Sequence, residues 1–187
     1  MVNVGMTVSD KLIETLKFFE GLRLQAYLDT NAKPPIWTIG WGHTRTAKPG
    51  MVITEAQAIA LKKQDLKEHE ESVIAAIPNT KLTQGQFDAL VSFSYNIGAN
   101  KFKKTGVVKA VNAGKFDDAK KELAKWNRAG NKVLDGLTAR RKAEIALMDA
   151  QPVNPPTNRI AYNNSLIQKT ISNPDSLWSR VRSAVGA

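Results

Sequence analysis

Residues 54–77, TEAQAIALKKQDLKEHEESVIAAI, contain neither glycine nor proline and run directly into Pro78. Ala58, Leu61, Leu66, Val73 and Ile77 recur along this stretch at helical spacing, and the ring of Pro78 disfavours continuing the helix through the residue before it. A helix of this length can join two lobes, so the rest of the chain is read in relation to it.

On the N-terminal side, Ser9 is a suitable N-cap, and Leu12, Ile13, Leu16 and Phe19 follow at helical spacing. Gly21 offers a C-cap, which leaves Glu20 at a helix end. From Leu22 to Ile53 the pattern changes to short apolar or aromatic pieces (LQAYL, IWTIGWG, MVI) punctuated by Gly, Pro, Asn and Asp. This is the one convincing strand region and predicts a small antiparallel sheet with loops. After Thr83, the segments QGQFDALVSFSYNIG, TGVVKAVNAG, FDDAKKELAKWNRA and LTARRKAEIALMDA read as helices separated by Gly, Asn and Lys turns.

The expected fold class is therefore α+β, mainly helical. It comprises an α/β lobe over about 10–53, a connecting helix over about 54–77 and an all-helical lobe over about 80–150. QPVNPPTNR then breaks the helical pattern with three prolines, so the globular part is expected to be 1–150 and 151–187 to be a linker and tail. Within the tail, Leu177, Trp178, Val181 and Val185 fall along one helical face beside Arg180 and Arg182. Such a basic amphipathic segment suits an anionic membrane or lipopolysaccharide, with docking onto its own domain or plain disorder as rivals.

Composition removes several classes of function. The 187 residues contain no cysteine, which excludes disulfides, thiolate nucleophiles and Cys-based zinc sites. The two histidines, His43 and His69, cannot alone furnish a usual zinc site, and His69, in the charged stretch KEHEES, is expected to face solvent; no metal or cofactor is expected. A formal charge of +10 implies attraction to a polyanion. The basic residues are scattered over several helices without a recognised reader motif, so nucleic acid is not the expected partner. No apolar run approaches the roughly 20 residues that span a bilayer. The start, MVNVGMTVSDK, lacks a basic region followed by an apolar stretch of about 7 to 15 residues, so synthesis is expected to end in the cytosol.

Glycoside hydrolysis usually needs two carboxyl groups flanking the bond, one to protonate the leaving oxygen and one to manage water or charge opposite. Glu20 follows the apolar face Leu16–Phe19, where partial shielding favours the protonated acid that such a donor requires. Asp29 stands on a polar turn before Thr30-Asn31 and should stay ionised. Taken alone, Glu20 is equally a solvated helix-end carboxylate and Asp29 a turn residue.

EGLRLQAYLD at 20–29 followed by TIGWGHT at 38–44 resembles the phage-type lysozymes, glycoside hydrolase family 24. The resemblance extends through KPGMVITEAQAIALKKQDL at 48–66, SFSYNIG at 92–98 and GLTARRKAE at 136–144. It implies a lysozyme-like two-lobed fold with Glu20 as general acid, Asp29 as catalytic carboxylate and Thr38 holding the attacking water, a route that inverts the anomeric configuration. Eight residues, TNAKPPIW, separate Asp29 from Thr38, a longer connection than the shortest family members carry.

The same resemblance implies a structural ion pair of His43 with Asp65. It also implies an Arg, Arg140 or Arg141, across the cleft from Glu20, and substrate contacts from Thr44, Tyr95 and Asn96. A buried structural role for Tyr95 and core packing for Tyr27, two residues before Asp29, stay open beside these readings. Trp37, Trp41 and Trp126 read as core or cleft-wall aromatics. The implied activity is a monomeric endolysin muramidase acting on peptidoglycan glycan strands during host lysis. It would be made in the host cytoplasm and reach the wall in the periplasm once a separate pore, a holin, opens the inner membrane. A lytic transglycosylase forming 1,6-anhydro products and a non-catalytic basic wall- or membrane-binding protein are the alternatives.

Overall fold

The computed structural model describes residues 1–150. The tail assigned to 151–187, with its linker and amphipathic segment, lies outside the described residues.

The long helix is present as α2, Glu55–Ala76. Its start is fixed by a capping box in which the Thr54 hydroxyl accepts from the Gln57 backbone N–H while the Gln57 side chain accepts from the Thr54 N–H. α1, Asp10–Phe19, is capped in the same sense by the Ser9 hydroxyl, which accepts from Leu12 N–H. Its end differs from the expectation. Glu20 is itself the C-cap, in extended conformation (φ −132°, ψ 116°), and Gly21 is not in the left-handed region. The chain thus leaves the helix one residue early and turns directly into the first strand.

β1, Arg23–Asp29, and β2, Ile36–Gly40, form an antiparallel pair with Tyr27 opposite Thr38 and Asp29 opposite Ile36. Two backbone hydrogen bonds, Ala26 N to Met51 O and Ile53 N to Leu24 O, both 2.9 Å, bring the chain before α2 onto the other edge of β1.

Five helices follow α2: α3, Gln84–Ile97; α4, Ala99–Phe102; α5, Gly106–Asn112; α6, Phe116–Ala124; and α7, Asp135–Asp149. The segment expected to be helical through Ala129 stops at Ala124. It is followed by a minimal hairpin, β3 (Arg128–Ala129) paired with β4 (Lys132–Val133), around Gly130 at φ 56°. The C-terminal lobe is therefore helical apart from this hairpin. No helix among the described residues is long and apolar enough to cross a membrane.

Two cores hold these elements. The large one combines Leu66 and Val73 of α2 and its C-cap Ile77 with Phe87, Leu90 and Phe93 of α3, Val107 and Val111 of α5, Leu123 of α6 and Leu147 of α7. Leu12, Ile13 and Leu16 of α1 join it too. By packing, α1 therefore belongs to the helical core, although sequence order groups it with the strands. The small core, Ile39, Trp41, Ile53 and Ala58, seats the hairpin on the first turns of α2.

Gly85 in α3 lies close against α7, where a Cβ at this position would overlap the backbone carbonyl oxygen of Leu147. Backbone cannot yield as a side-chain tip can, so a methyl group there must push α3 from α7. Gly85→Ala should lower unfolding free energy by about 1–3 kcal/mol, as read by urea denaturation. An unchanged midpoint would show that the α3–α7 spacing is not set by this contact.

Candidate active site

The end of α1 delivers Glu20 to a point where α2 and α7 also contribute. Its side chain, 18% exposed, meets two cations. Lys62 Nζ from α2 donates a short hydrogen bond to Oε2, and Arg140 Nη1 from α7 lies 3.5 Å from Oε1. The apolar wall read from the sequence is present, since Phe19 is buried and the Arg140 guanidinium stands over its ring at 5.9 Å. The immediate partners of the carboxylate are nevertheless charged.

Lys62 was given no role by sequence. It is 2% exposed and also donates to the Trp41 carbonyl oxygen (3.0 Å) and the Tyr95 hydroxyl (2.8 Å), with its ammonium 4.0 Å from the Tyr95 ring centroid. One signal pointed to it: Lys62 lies four residues after Ala58 and four before Leu66, on the buried stripe of α2.

The structure decides between the two arginines. Arg140 bridges Glu20 and Glu144, its Nε 3.4 Å from Glu144 Oε1. Arg141 turns into the helical lobe, pairs with Glu144 Oε2 at 2.9 Å and donates to the side-chain carbonyl of Asn96 at 2.8 Å. Glu144 is wholly buried and also accepts from the Ser92 hydroxyl at 2.7 Å. Burial pushes the Glu144 carboxyl up against the pull of Arg141 and Arg140, and pushes Arg141 down to about 10.

Asp29 ends β1, where its Oδ1 accepts from Asn31 N–H at 3.0 Å. Thr38 is buried in β2, its hydroxyl donating to the Ile36 carbonyl at 3.3 Å. Because Asp29 pairs with Ile36 and Tyr27 with Thr38, Asp29, Tyr27 and Thr38 project from one face of the ribbon. Asp29 and Thr38 are diagonal neighbours on that face, a separation of roughly 7–8 Å. Tyr27 also meets the Arg23 guanidinium, 5.8 Å from its ring.

The turn after β2 explains the glycines of TIGWGHT. Gly40 (φ 64°) and Gly42 (φ 84°) flank Trp41 and let the backbone reverse, so that Ile39 and His43 exchange two 2.9 Å hydrogen bonds. This places the Trp41 carbonyl over Lys62. His43 meets Asp65 as expected, with Nδ1 at 2.9 and 3.0 Å from its two oxygens. On the other side of the ring, Nε2 lies 2.8 Å from the Thr46 hydroxyl and 3.2 Å from the Thr46 backbone nitrogen.

Thr44, half-buried, follows in the same loop. Tyr95 is largely enclosed, its hydroxyl engaged by Lys62 and its ring edge-on to His69 at 5.3 Å. Burial, followed by the charge of Glu20, pushes the Tyr95 phenol up. Trp41 is core of the small lobe, and Trp126 packs edge-on to Phe93 in the large one. His69 is not the solvent-facing residue its charged neighbourhood suggests: it is half-buried and its Nδ1 lies 3.0 Å from the Ser94 hydroxyl. Among the described residues no group of acidic, His or Cys side chains could hold a metal ion.

With a cation-flanked glutamate beside a two-stranded ribbon carrying Asp29 and Thr38, comparison with known proteins is informative. The phage lysozyme family model matches residues 17–144. The chain belongs to the phage lysozyme family. That family consists of glycoside hydrolases that break down peptidoglycan. The chain is 40% identical over 143 residues to an endolysin of Bacillus phage B103, covering 76% of this chain and 54% of that protein. It thus spans about half the length of that relative. An endolysin of Acyrthosiphon pisum secondary endosymbiont phage 1 is 37% identical over 153 residues, covering 78% of this chain and 99% of the relative. Among solved structures, the muramidase domain of SpmX from Asticaccaulis excentricus superposes with a TM-score of 0.71 at 38% identity, covering 78% of this chain and 99% of that domain.

Two outcomes follow from the buried charges. Glu144→Ala leaves two buried arginines short of a counter-ion and should cost about 3–5 kcal/mol, measured by urea unfolding; a cost below 1 kcal/mol would contradict a pairing role. Burial lowers the His69 pKa from its ordinary 6.5. A depressed folded value means that its contribution to stability is complete above 6.5 and is lost as pH falls toward the folded value. Wild type should therefore lose thermal stability more steeply than His69→Gln as pH falls below 6.5. Parallel curves would show that His69 is equally accessible to protons in both states.

Proposed function

We propose that this chain is an endolysin muramidase hydrolysing the β-1,4 bond between N-acetylmuramic acid and N-acetylglucosamine, with inversion. In this reading the Glu20 carboxyl gives its proton to the leaving glycosidic oxygen. Asp29 takes a proton from a water steadied by the Thr38 hydroxyl, and that water's oxygen attacks the anomeric carbon from the opposite face. The proton gained by Asp29 passes to solvent and Glu20 is reprotonated, which closes the cycle.

The observation that carries the reading is the hairpin register, in which the carboxylate of Asp29 and the hydroxyl of Thr38 share one face as diagonal neighbours. A lytic transglycosylase, which closes a 1,6-anhydro ring, has no use for that pair. A non-catalytic wall-binding protein has no use for a glutamate held between two buried cations.

Thr44 and the amide of Asn96 are assigned to the sugar groove, the latter with its carbonyl already held by Arg141. Tyr95 would contribute ring surface, since its hydroxyl is committed to Lys62. His43 and Asp65 support the turn that carries Trp41. We place synthesis in the host cytoplasm and action on the wall in the periplasm after a holin opens the inner membrane. Contact of the basic tail with lipopolysaccharide or an anionic outer membrane belongs to the same proposal.

Digests of purified peptidoglycan should yield reducing ends with little 1,6-anhydromuramic acid by mass spectrometry. Glu20→Gln should lower the rate roughly 10²–10⁴-fold, the range of general acid–base catalysis. Abundant anhydro ends would replace hydrolysis by transglycosylation, and undiminished release by Glu20→Gln would remove Glu20 from the chemistry.

A further inference from the structure

A lysine with 2% exposure is expensive to bury, because its ammonium loses its hydration. In this fold the loss is offset by three oxygens and one ring. Nζ donates to Glu20 Oε2, the Trp41 carbonyl and the Tyr95 hydroxyl, and stands over the Tyr95 ring. Three acceptors use all three ammonium donors. Lys62 is thus a fully satisfied anchor, held by the turn after β2 on one side and by α3 on the other.

The two oxygens of Glu20 are held unequally. Oε2 accepts a hydrogen bond from Lys62 Nζ, whereas Oε1 meets Arg140 Nη1 at 3.5 Å as an ion pair. An oxygen that already accepts a strong charge-assisted bond is the poorer place for a proton. We propose that Lys62 is a positioning residue for the general acid: it pins Oε2, leaves Oε1 to carry the donated proton, and by its charge sets the upper pH limit of activity. This rests on the reading of Glu20 as proton donor.

The charged and titratable groups around the pair come from every packed element. Glu20 ends α1, Tyr95 faces Lys62 from α3, and Arg140 faces Glu20 from α7 with Glu144 behind it. Along α2, the charge of Lys62 acts on His69 and that of Asp65 on Tyr95. His69 is held below 6.5 by burial and Tyr95 above 10.0 by burial, so neither changes charge between those values.

General-acid catalysis falls as the donor loses its proton, which gives kcat/KM an alkaline limb. Removing a cation in contact with a carboxylate makes its charged form harder to reach, typically by one unit or more. In Lys62→Met the limb should move to higher pH by about one unit or more. In the same variant kcat should fall about tenfold or more, with KM little changed, because the pinned orientation is lost. Lys62→Arg, which keeps the charge, should keep the limb near its wild-type position. His69→Gln should not move it.

The assay is a pH series of turbidity loss and reducing-end release from purified peptidoglycan by the full chain, with circular dichroism confirming the fold of each variant. Where Lys62→Met does not fold, Lys62→Gln, neutral and still able to donate to Trp41 and Tyr95, takes its place. A lowered rate with an unmoved limb would reduce Lys62 to a structural role and overturn the proposal. A limb that moves equally in Lys62→Arg would do the same. Failure of the underlying reading looks different: the wild type would release no reducing ends, or Glu20→Gln would stay fully active.

Discussion

Glu144 is a carboxylate without solvent exposure, and the placement of both arginines of α7 follows from it. An isolated buried charge costs many kcal/mol, so the site tolerates Glu144 only because Arg141 and Arg140 flank it and Ser92 donates to it. Arg140 is consequently fixed from behind, by Glu144 and by the Ser92 carbonyl, before it meets Glu20. The partner of Glu20 therefore does not depend on a flexible surface side chain. It is set by the same packing that joins α3 to α7, the pair in close contact at Gly85.

The second fixed cation comes from the register of α2. Along its buried stripe, Ala58 belongs to the small core, and Leu66, Val73 and Ile77 belong to the large one. Lys62 lies on that stripe between the two, where the cores meet. The lysine puts a donor against the Trp41 carbonyl from the small lobe and against Glu20 and Tyr95 from the large one. The seam between lobes is thus polar where the chemistry needs it and apolar on both sides.

What was legible in the sequence was mostly local. The α2 and α3 starts are written in Thr54-Gln57 and Thr83-Gln86, and the strand region in its glycines and aromatics. The early end of α1 was not legible, because Gly21 offered a plausible cap and only the following strand shows that Glu20 is the one that turns. The β3–β4 hairpin was lost because strands of two residues leave no period to read. His43 meets Asp65 as the motif implied, whereas its second partner, Thr46, is one that no motif encodes. Lys62 and His69 sit in charged runs, KKQDLKEHEE, that look like a solvated face; their burial follows from helical register and from what packs on it.

The division of α1 from the strands carries the mechanistic consequence. Glu20 is tied to the helical core through Leu16 and Phe19 before it and through Arg140. Asp29 and Thr38 ride on the hairpin, whose hold is the small core on the first turns of α2. Glu20 and Asp29 are therefore not neighbours in a local motif, although only eight residues part them in sequence. Their separation is set by how the small core seats on α2, and the inverting hydrolysis proposed for the site would require that separation to leave space for a water. Lys62, which bonds to the turn of one lobe and to Glu20 of the other, spans that junction. A shift of the hairpin on α2 would carry the Trp41 carbonyl away from Lys62 at the same time as it moved Asp29 from Glu20.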